Sequence, residues 1–218
     1  MSRPKQAPYQ ALRPRLYLVT PQVEDATPFA PELAAALDAA DFAAVLLRLV
    51  PADEHAQINR VKMLAAVVQD KGIALLLDGH ADLVARGGAD GAHLTGIEAF
   101  LASLGGLKPD RIAGCGGLAT RHDAMLAAEN GADYVMFGDA VDGRRSSFGA
   151  ILERVGWWAE VFEIPCVALA SGLDEIGPLT AAGADFVALG DFVWSDSRGA
   201  AAALAAAVKW IDAPEAMA

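Results

Sequence analysis

Gly88-Ala89-Asp90-Gly91, Gly131-Ala132-Asp133-Tyr134 and Gly183-Ala184-Asp185-Phe186 are three copies of one phrase, and that phrase decides the fold. Each copy follows an alanine-rich stretch and precedes an apolar run. Glycine suits the left-handed position just past a helix end, and the apolar run after it reads as a buried strand. A chain that turns helix into strand the same way three times is built from repeated α/β units.

Working outward, apolar runs suited to strands lie at 16–20, 43–49, 73–78, 91–94, 111–115, 134–138, 166–170 and 186–190. Helical patterns separate them at 31–40, 55–70, 81–86, 97–104, 121–129, 148–162, 175–181 and 198–210. The runs are short and apolar throughout, the mark of parallel strands covered on both faces. Eight such units with tight connections close most naturally into a barrel. The expected fold class is α/β, a single-domain (β/α)8 TIM barrel over 16–212, with a flexible N-terminal arm at 1–15 and a C-terminal tail at 213–218. A doubly wound open sheet is the alternative. Thr120 with Asp123 reads as a capping box, and Lys71-Gly72 and Asn130-Gly131 read as helix stops.

Composition narrows the class of partner. The 218 residues are 54% apolar and 21% charged, with a formal net charge of −11. That charge argues against nucleic acid or an anionic membrane, both of which attract Lys/Arg-rich faces. No stretch approaches the roughly 20 apolar residues of a membrane span, and the polar, basic N-terminus has no hydrophobic segment of a secretory signal. Cys115 and Cys166 sit inside apolar runs and read as reduced core thiols. The expected compartment is the cytoplasm.

Barrel enzymes carry their chemistry at the C-terminal ends of the strands. Arg48 is a cation within the apolar run Val45-Leu46-Leu47-Arg48-Leu49-Val50 and requires an anionic partner, either a carboxylate of the barrel or a ligand phosphate. Asp78 ends Leu75-Leu76-Leu77-Asp78, and Glu98 follows the next strand. The two carboxylates suit Mg2+ shared with substrate phosphates; otherwise Asp78 caps the helix after it. The polar loop from Asp139 to Ser147 carries Arg144 and Arg145, which are either counter-charges for a diphosphate or solvated loop residues. Ser171, Gly172 and Gly190 lie after the seventh and eighth runs, where backbone N–H groups often meet a phosphate, whereas Asp191 beside them would repel one. His93, in an apolar strand, reads as a hydrogen-bonded core residue. His80, Cys115 and Asp139 are the acid–base candidates for any other reaction. No Ser-His-Asp elbow, Cys-x-x-Cys pair, phosphate-binding P-loop or dinucleotide glycine motif is present.

Taken in order, Leu16-Tyr17-Leu18-Val19-Thr20, Asp78, the stretch from Gly88 to Leu94, Gly131 to Gly138, Pro165-Cys166-Val167-Ala168-Leu169 and Ala181 to Asp185 resemble the thiamine phosphate synthase and thiazole tautomerase superfamily. The resemblance covers roughly 15–210. It implies a transferase that joins hydroxymethylpyrimidine diphosphate to thiazole phosphate with Mg2+ help and release of pyrophosphate. By that resemblance Arg48, Arg144 or Arg145 would meet the diphosphate, Asp78 and Glu98 the Mg2+, and the loop at Ser171-Gly172 the thiazole phosphate. The second strand departs from the pattern: the family's Gln-Leu-Arg-Glu-Lys is here Leu46-Leu47-Arg48-Leu49-Val50. The family's Asn-Asp after strand three is Leu77-Asp78, and the tautomerase histidine after strand five has no counterpart. The alternatives are a non-catalytic carrier or sensor of a phosphoester, or an isomerase or tautomerase on the same barrel. The implied partner is a small phosphorylated heterocycle or diphosphate, and the implied assembly a homodimer.

Overall fold

Successive strand residues point to opposite faces, so a sheet that closes on itself converts alternation into an inside and an outside. The computed structural model describes residues 13–140 and 143–212; the expected tail and all of the expected arm but its last three residues lie outside them. The strands are β1 (Arg15–Val23), β2 (Phe42–Leu49), β3 (Ala74–Asp78), β4 (Gly91–Thr95), β5 (Ile112–Gly116), β6 (Tyr134–Phe137), β7 (Cys166–Ala170) and β8 (Phe186–Leu189). The helices are α1 (Ala26–Leu37), α2 (Glu54–Gln69), α3 (Val84–Gly87, entered through a 3-10 turn), α4 (Ile97–Leu107), α5 (Arg121–Glu129), α6 (Phe148–Val161), α7 (Leu173–Ala181), α8 (Asp191–Trp194) and α9 (Ala200–Asp212). All eight strands are parallel, each pairs with its sequence neighbours, and β1 closes on β8. The sheet is therefore a (β/α)8 barrel, and the open-sheet alternative is excluded.

The three repeated phrases share one hydrogen-bond pattern. Gly88, Gly131 and Gly183 take φ of 78°, 89° and 94°, the left-handed turn that ends each helix. The aspartate two residues on then bonds twice to one residue of the preceding strand. Asp90 donates its N–H to Leu75 O (2.8 Å) and accepts the Leu75 N–H (2.7 Å). Asp133 does the same with Ala113 (2.9 and 2.7 Å), and Asp185 with Cys166 (3.1 and 2.8 Å). Each phrase thus staples the start of an even strand to the odd strand before it.

Residues facing outward, such as Leu18, Leu47, Leu77, Val135 and Val187, form one apolar layer with the helices. Those facing inward, including Tyr17, Ala44, Leu46, Leu76, Met136, Val167 and Ala188, fill the barrel as a second cluster. Local signals hold: Thr120 and Asp123 form the reciprocal capping box. Three elements differ from the sequence reading. α1 starts at Ala26, where the Asp25 side chain accepts the Thr27 N–H, and so carries the expected start, Pro31, inside it and ends at Leu37. β1 runs on to Val23 past a register shift, which accommodates Pro21 where its missing N–H breaks no ladder. The short α8 separates β8 from α9.

Candidate active site

Following the inward positions up each strand leads to one mouth. Ala44-Leu46-Arg48 on β2, Ala74-Leu76-Asp78 on β3 and Gly91-His93-Thr95 on β4 keep the two-residue period, each ending in a polar side chain. These ends line a cavity of about 400 Å3, whose apolar floor includes Val19, Leu46, Met136 and Leu169. Its rim carries Arg48, Asp78, Asp139, Arg145, Ser171, Gly190 and Asp191.

A buried polar chain crosses the barrel beneath the floor and reaches the cavity wall at His93. The Tyr17 and Tyr134 hydroxyls bond to each other at 2.9 Å, and the Tyr134 hydroxyl bonds His93 Nδ1 at 3.0 Å. Tyr134 stacks on the imidazole with ring centroids 5.7 Å apart. Burial pushes His93 down to about 4, so its imidazole is neutral near pH 7. A methyl on Gly114 would collide with the Tyr134 ring, which is why glycine stands beneath it.

Arg48 has an internal carboxylate partner. Its Nη2 pairs with Asp191, its Nε donates to Thr20 O, and Nη1 has no protein acceptor among the described residues. The Arg48 side chain is 21% exposed and that of Asp191 80%, so the pair opens onto the cavity. Asp191 therefore enters the site with its charge matched by Arg48, not as the unmatched repellent anion expected from sequence. The two loop arginines part company. Arg145 is fixed: Nη1 and Nη2 donate to Glu175 Oε1 (3.0 Å) and Oε2 (2.6 Å), Nε to Gly138 O (3.0 Å) and Nη2 to Leu169 O (3.0 Å). Arg144 is exposed and lines an adjoining cavity of about 190 Å3 with Ser146, Arg154 and Asp139.

Ser171 lines the main cavity, but Glu175 Oε2 accepts its backbone N–H at 2.8 Å. Burial pushes the Glu175 carboxyl up, yet Arg145 and the Ser171 N–H outweigh it and hold the group below the usual range. Gly172 caps α7 and lies outside the cavity wall, whereas Gly190 lies within it. Asp78 is half-buried and raised, chiefly by burial, against the pull of Arg48 and His80. No protein donor bonds Asp78 among the described residues, so its carboxylate suits a cation brought in with the ligand. Glu98 is exposed in the first turn of α4 and does not line the cavity. Among the described residues no group of three or more His, Cys, Asp or Glu side chains converges as a metal cage. Asp139 reaches about 6: burial leads, the Gly117 and its own N–H oppose it, Asp78 adds and Arg154 subtracts. Cys115 and Cys166 are buried and pushed up to about 12, chiefly by desolvation, so neither is a thiolate at neutral pH.

Sequence reasoning missed Glu175, four residues along from Ser171 inside a helix that carries no motif. It placed Asp139 among strand ends without seeing that it faces His93. No helix among the described residues is long and apolar enough to cross a membrane.

The family model described as thiamine monophosphate synthase matches residues 16–206. A thiamine-phosphate synthase of Rhodospirillum centenum is 42% identical over 195 residues, covering 88% of this chain and 94% of that relative. One from Hyphomonas neptunium is 36% identical over 206 residues, covering 89% and 92%. Among solved structures, a thiamine phosphate pyrophosphorylase from Pyrococcus furiosus superposes with a TM-score of 0.74 at 22% identity, over 93% of this chain and 98% of that one. That likeness speaks for the barrel alone. With a matching model across the whole barrel and relatives similar along nearly their entire length, the chain belongs to the thiamine monophosphate synthase family.

Proposed function

We propose that the chain is a thiamine-phosphate synthase that joins hydroxymethylpyrimidine diphosphate to thiazole phosphate. The observation that carries the reading is the cavity itself: an apolar floor sized for a small ring beneath a rim holding Arg48 and Asp78, to which no protein donor bonds among the described residues. In the reaction the C–O bond to the diphosphate breaks and its electron pair leaves with pyrophosphate. The thiazole nitrogen lone pair then forms the new C–N bond to the pyrimidine methylene. No proton has to move in that exchange, which agrees with a floor whose histidine stays neutral.

Arg48 stabilises the charge that gathers on the leaving diphosphate, where Asp191 now sits. The exchange of one anion for another is cheap because Asp191 is largely solvated, and exposed pairs contribute only about 0–1 kcal/mol. Mg2+ bound with the diphosphate would neutralise part of that charge. Asp78 would hold it, and Glu98 would join only by swinging in from α4. Arg145 contributes through its fixed position at the rim, and Arg144 from the adjoining cavity. With the Ser171 N–H held by Glu175, the Ser171 hydroxyl and the Gly190 edge would meet the thiazole phosphate, with Gly172 shaping the turn.

A second reading, a carrier or sensor that binds a phosphoester without turnover, draws on Leu46 in β2 and Val50 just past its end, which bring no polar group there. One assay separates the two. The purified protein is given both substrates and Mg2+, and thiamine phosphate is oxidised to a fluorescent thiochrome. Product that disappears with Asp78→Ala supports the synthase; binding of either substrate without product supports the carrier. A cytoplasmic location and a homodimer complete the proposal.

A further inference from the structure

β6 lies four strands from β2 around the closed barrel, so Asp139 and Arg48 occupy opposite walls of one cavity. Arg48 suits the diphosphate end of a ligand, which leaves the wall of β4 to β6 for its ring. That wall is built around an absent side chain. A Cβ on Gly116 would collide with both Asp139 Oδ2 and His93 Nε2, so the two groups converge on the space glycine leaves open. Gly138, at φ 99°, keeps the end of β6 close to Leu169 O and turns Asp139 inward.

Both groups are held in place from behind. Asp139 Oδ2 accepts the Gly117 N–H, and among the described residues no side chain bonds or pairs with the carboxylate. His93 is 2% exposed and its Nδ1 is taken by the Tyr134 hydroxyl. When Tyr17 donates to Tyr134 and Tyr134 to Nδ1, the chain leaves Nε2 as an N–H at the cavity wall. A carboxylate acceptor then stands beside an imidazole donor. The complementary ligand edge carries an N–H donor next to a ring-nitrogen acceptor, which is the amino edge of a 4-aminopyrimidine.

We propose that Asp139 is the specificity-determining residue for the pyrimidine ring: its carboxylate accepts from the exocyclic amino group while His93 Nε2–H donates to the adjacent ring nitrogen. This rests on the synthase reading above and deepens it. A residue that only braced the Gly117 turn would not distinguish one ring substituent from another, so the test compares substituents.

Binding of the aminopyrimidine diphosphate and of its 4-oxo analogue is measured by calorimetry for the wild type, Asp139→Asn and Asp139→Ala. Asn keeps a carbonyl for the Gly117 N–H but turns a donor toward the ligand, so its fold is retained. The wild type is expected to prefer the amino ligand by about 100-fold, since sites built around a polar substituent reject its replacement strongly. Asp139→Asn is expected to abolish or reverse that preference, and Asp139→Ala to abolish it, with the KM for thiazole phosphate unchanged. Variants that bind both ligands with the wild-type ratio would overturn the proposal and leave the synthase reading intact. A folded wild type that binds neither ligand and forms no product would overturn both.

Discussion

Glu175 holds Arg145 with both carboxylate oxygens, at 3.0 and 2.6 Å, and accepts the Ser171 N–H with one of them. One helical carboxylate therefore sets an arginine and a loop at the rim of the cavity. Glu175→Gln keeps the shape and removes the charge. It is expected to cost about 1–3 kcal/mol, because a partly buried guanidinium loses its counter-ion, and to raise KM for a phosphorylated substrate. The Glu175 carboxyl is held below its ordinary range, so its stabilisation is complete above that range and is lost as pH falls through the folded value. Urea midpoints of the wild type should fall in acid more steeply than those of Glu175→Gln.

Arg48 and Asp191 make opposite predictions. Arg48→Ala removes charge-assisted hydrogen bonds to the diphosphate, each about 1.5–3 kcal/mol, and should lower kcat/KM by roughly 10- to 150-fold per bond lost. Its melting temperature should change little, since the partner carboxylate is already solvated. Asp191→Asn removes the anion that occupies the guanidinium in the free protein, and KM for the diphosphate should fall. A rise in KM with Asp191→Asn would place that carboxylate on the substrate's side of the balance.

His93 and Asp139 bend the pH–stability curve in opposite senses. His93 titrates at about 4 when folded and near 6.5 when unfolded, so the unfolded chain binds the extra proton between them and stability rises with pH. Asp139 titrates at about 6 when folded and near 3.8 when unfolded, so there the folded chain holds the proton and stability falls with pH. Each shift is on the order of 3 kcal/mol at 1.36 kcal/mol per unit. The two slopes oppose each other between about pH 4 and 6. Relative to the wild type, Asp139→Asn should add a rising slope across that window and His93→Gln a falling one. Urea denaturation at several pH values reads both.

The repeated aspartates should act as staples. Asp133→Ala and Asp185→Ala each strand a strand N–H, of Ala113 and Cys166, and should cost about 1–3 kcal/mol. The asparagine variants keep an acceptor and should cost less. Equal losses for alanine and asparagine would assign the effect to charge, such as the Lys108–Asp133 pair, and not to the strand N–H.

The barrel was legible because its signals are local. Gly88, Gly131 and Gly183 mark helix ends by their conformational freedom, and the runs after them are too short and too apolar for anything but covered strands. Arg48 and Asp78 were legible as the polar ends of apolar strands, since alternation alone fixes which way they face. The clamp on Arg145 was not, because Glu175 lies 30 residues away and only barrel closure brings the two together. For the same reason the facing of Asp139 and His93 could not be read, being defined by the side chain that Gly116 lacks. The continuation of β1 through Pro21 was hidden by a residue that ordinarily ends strands.

The most direct measurement is the rate of pyrophosphate release by the wild type and Arg48→Ala, with and without thiazole phosphate, at saturating Mg2+. Release that requires both substrates, and falls at least about tenfold in the variant, is the expected result. Binding of the pyrimidine diphosphate with no release from the wild type, or release indifferent to Arg48, would contradict the assignment of this cavity as the site of thiamine phosphate synthesis.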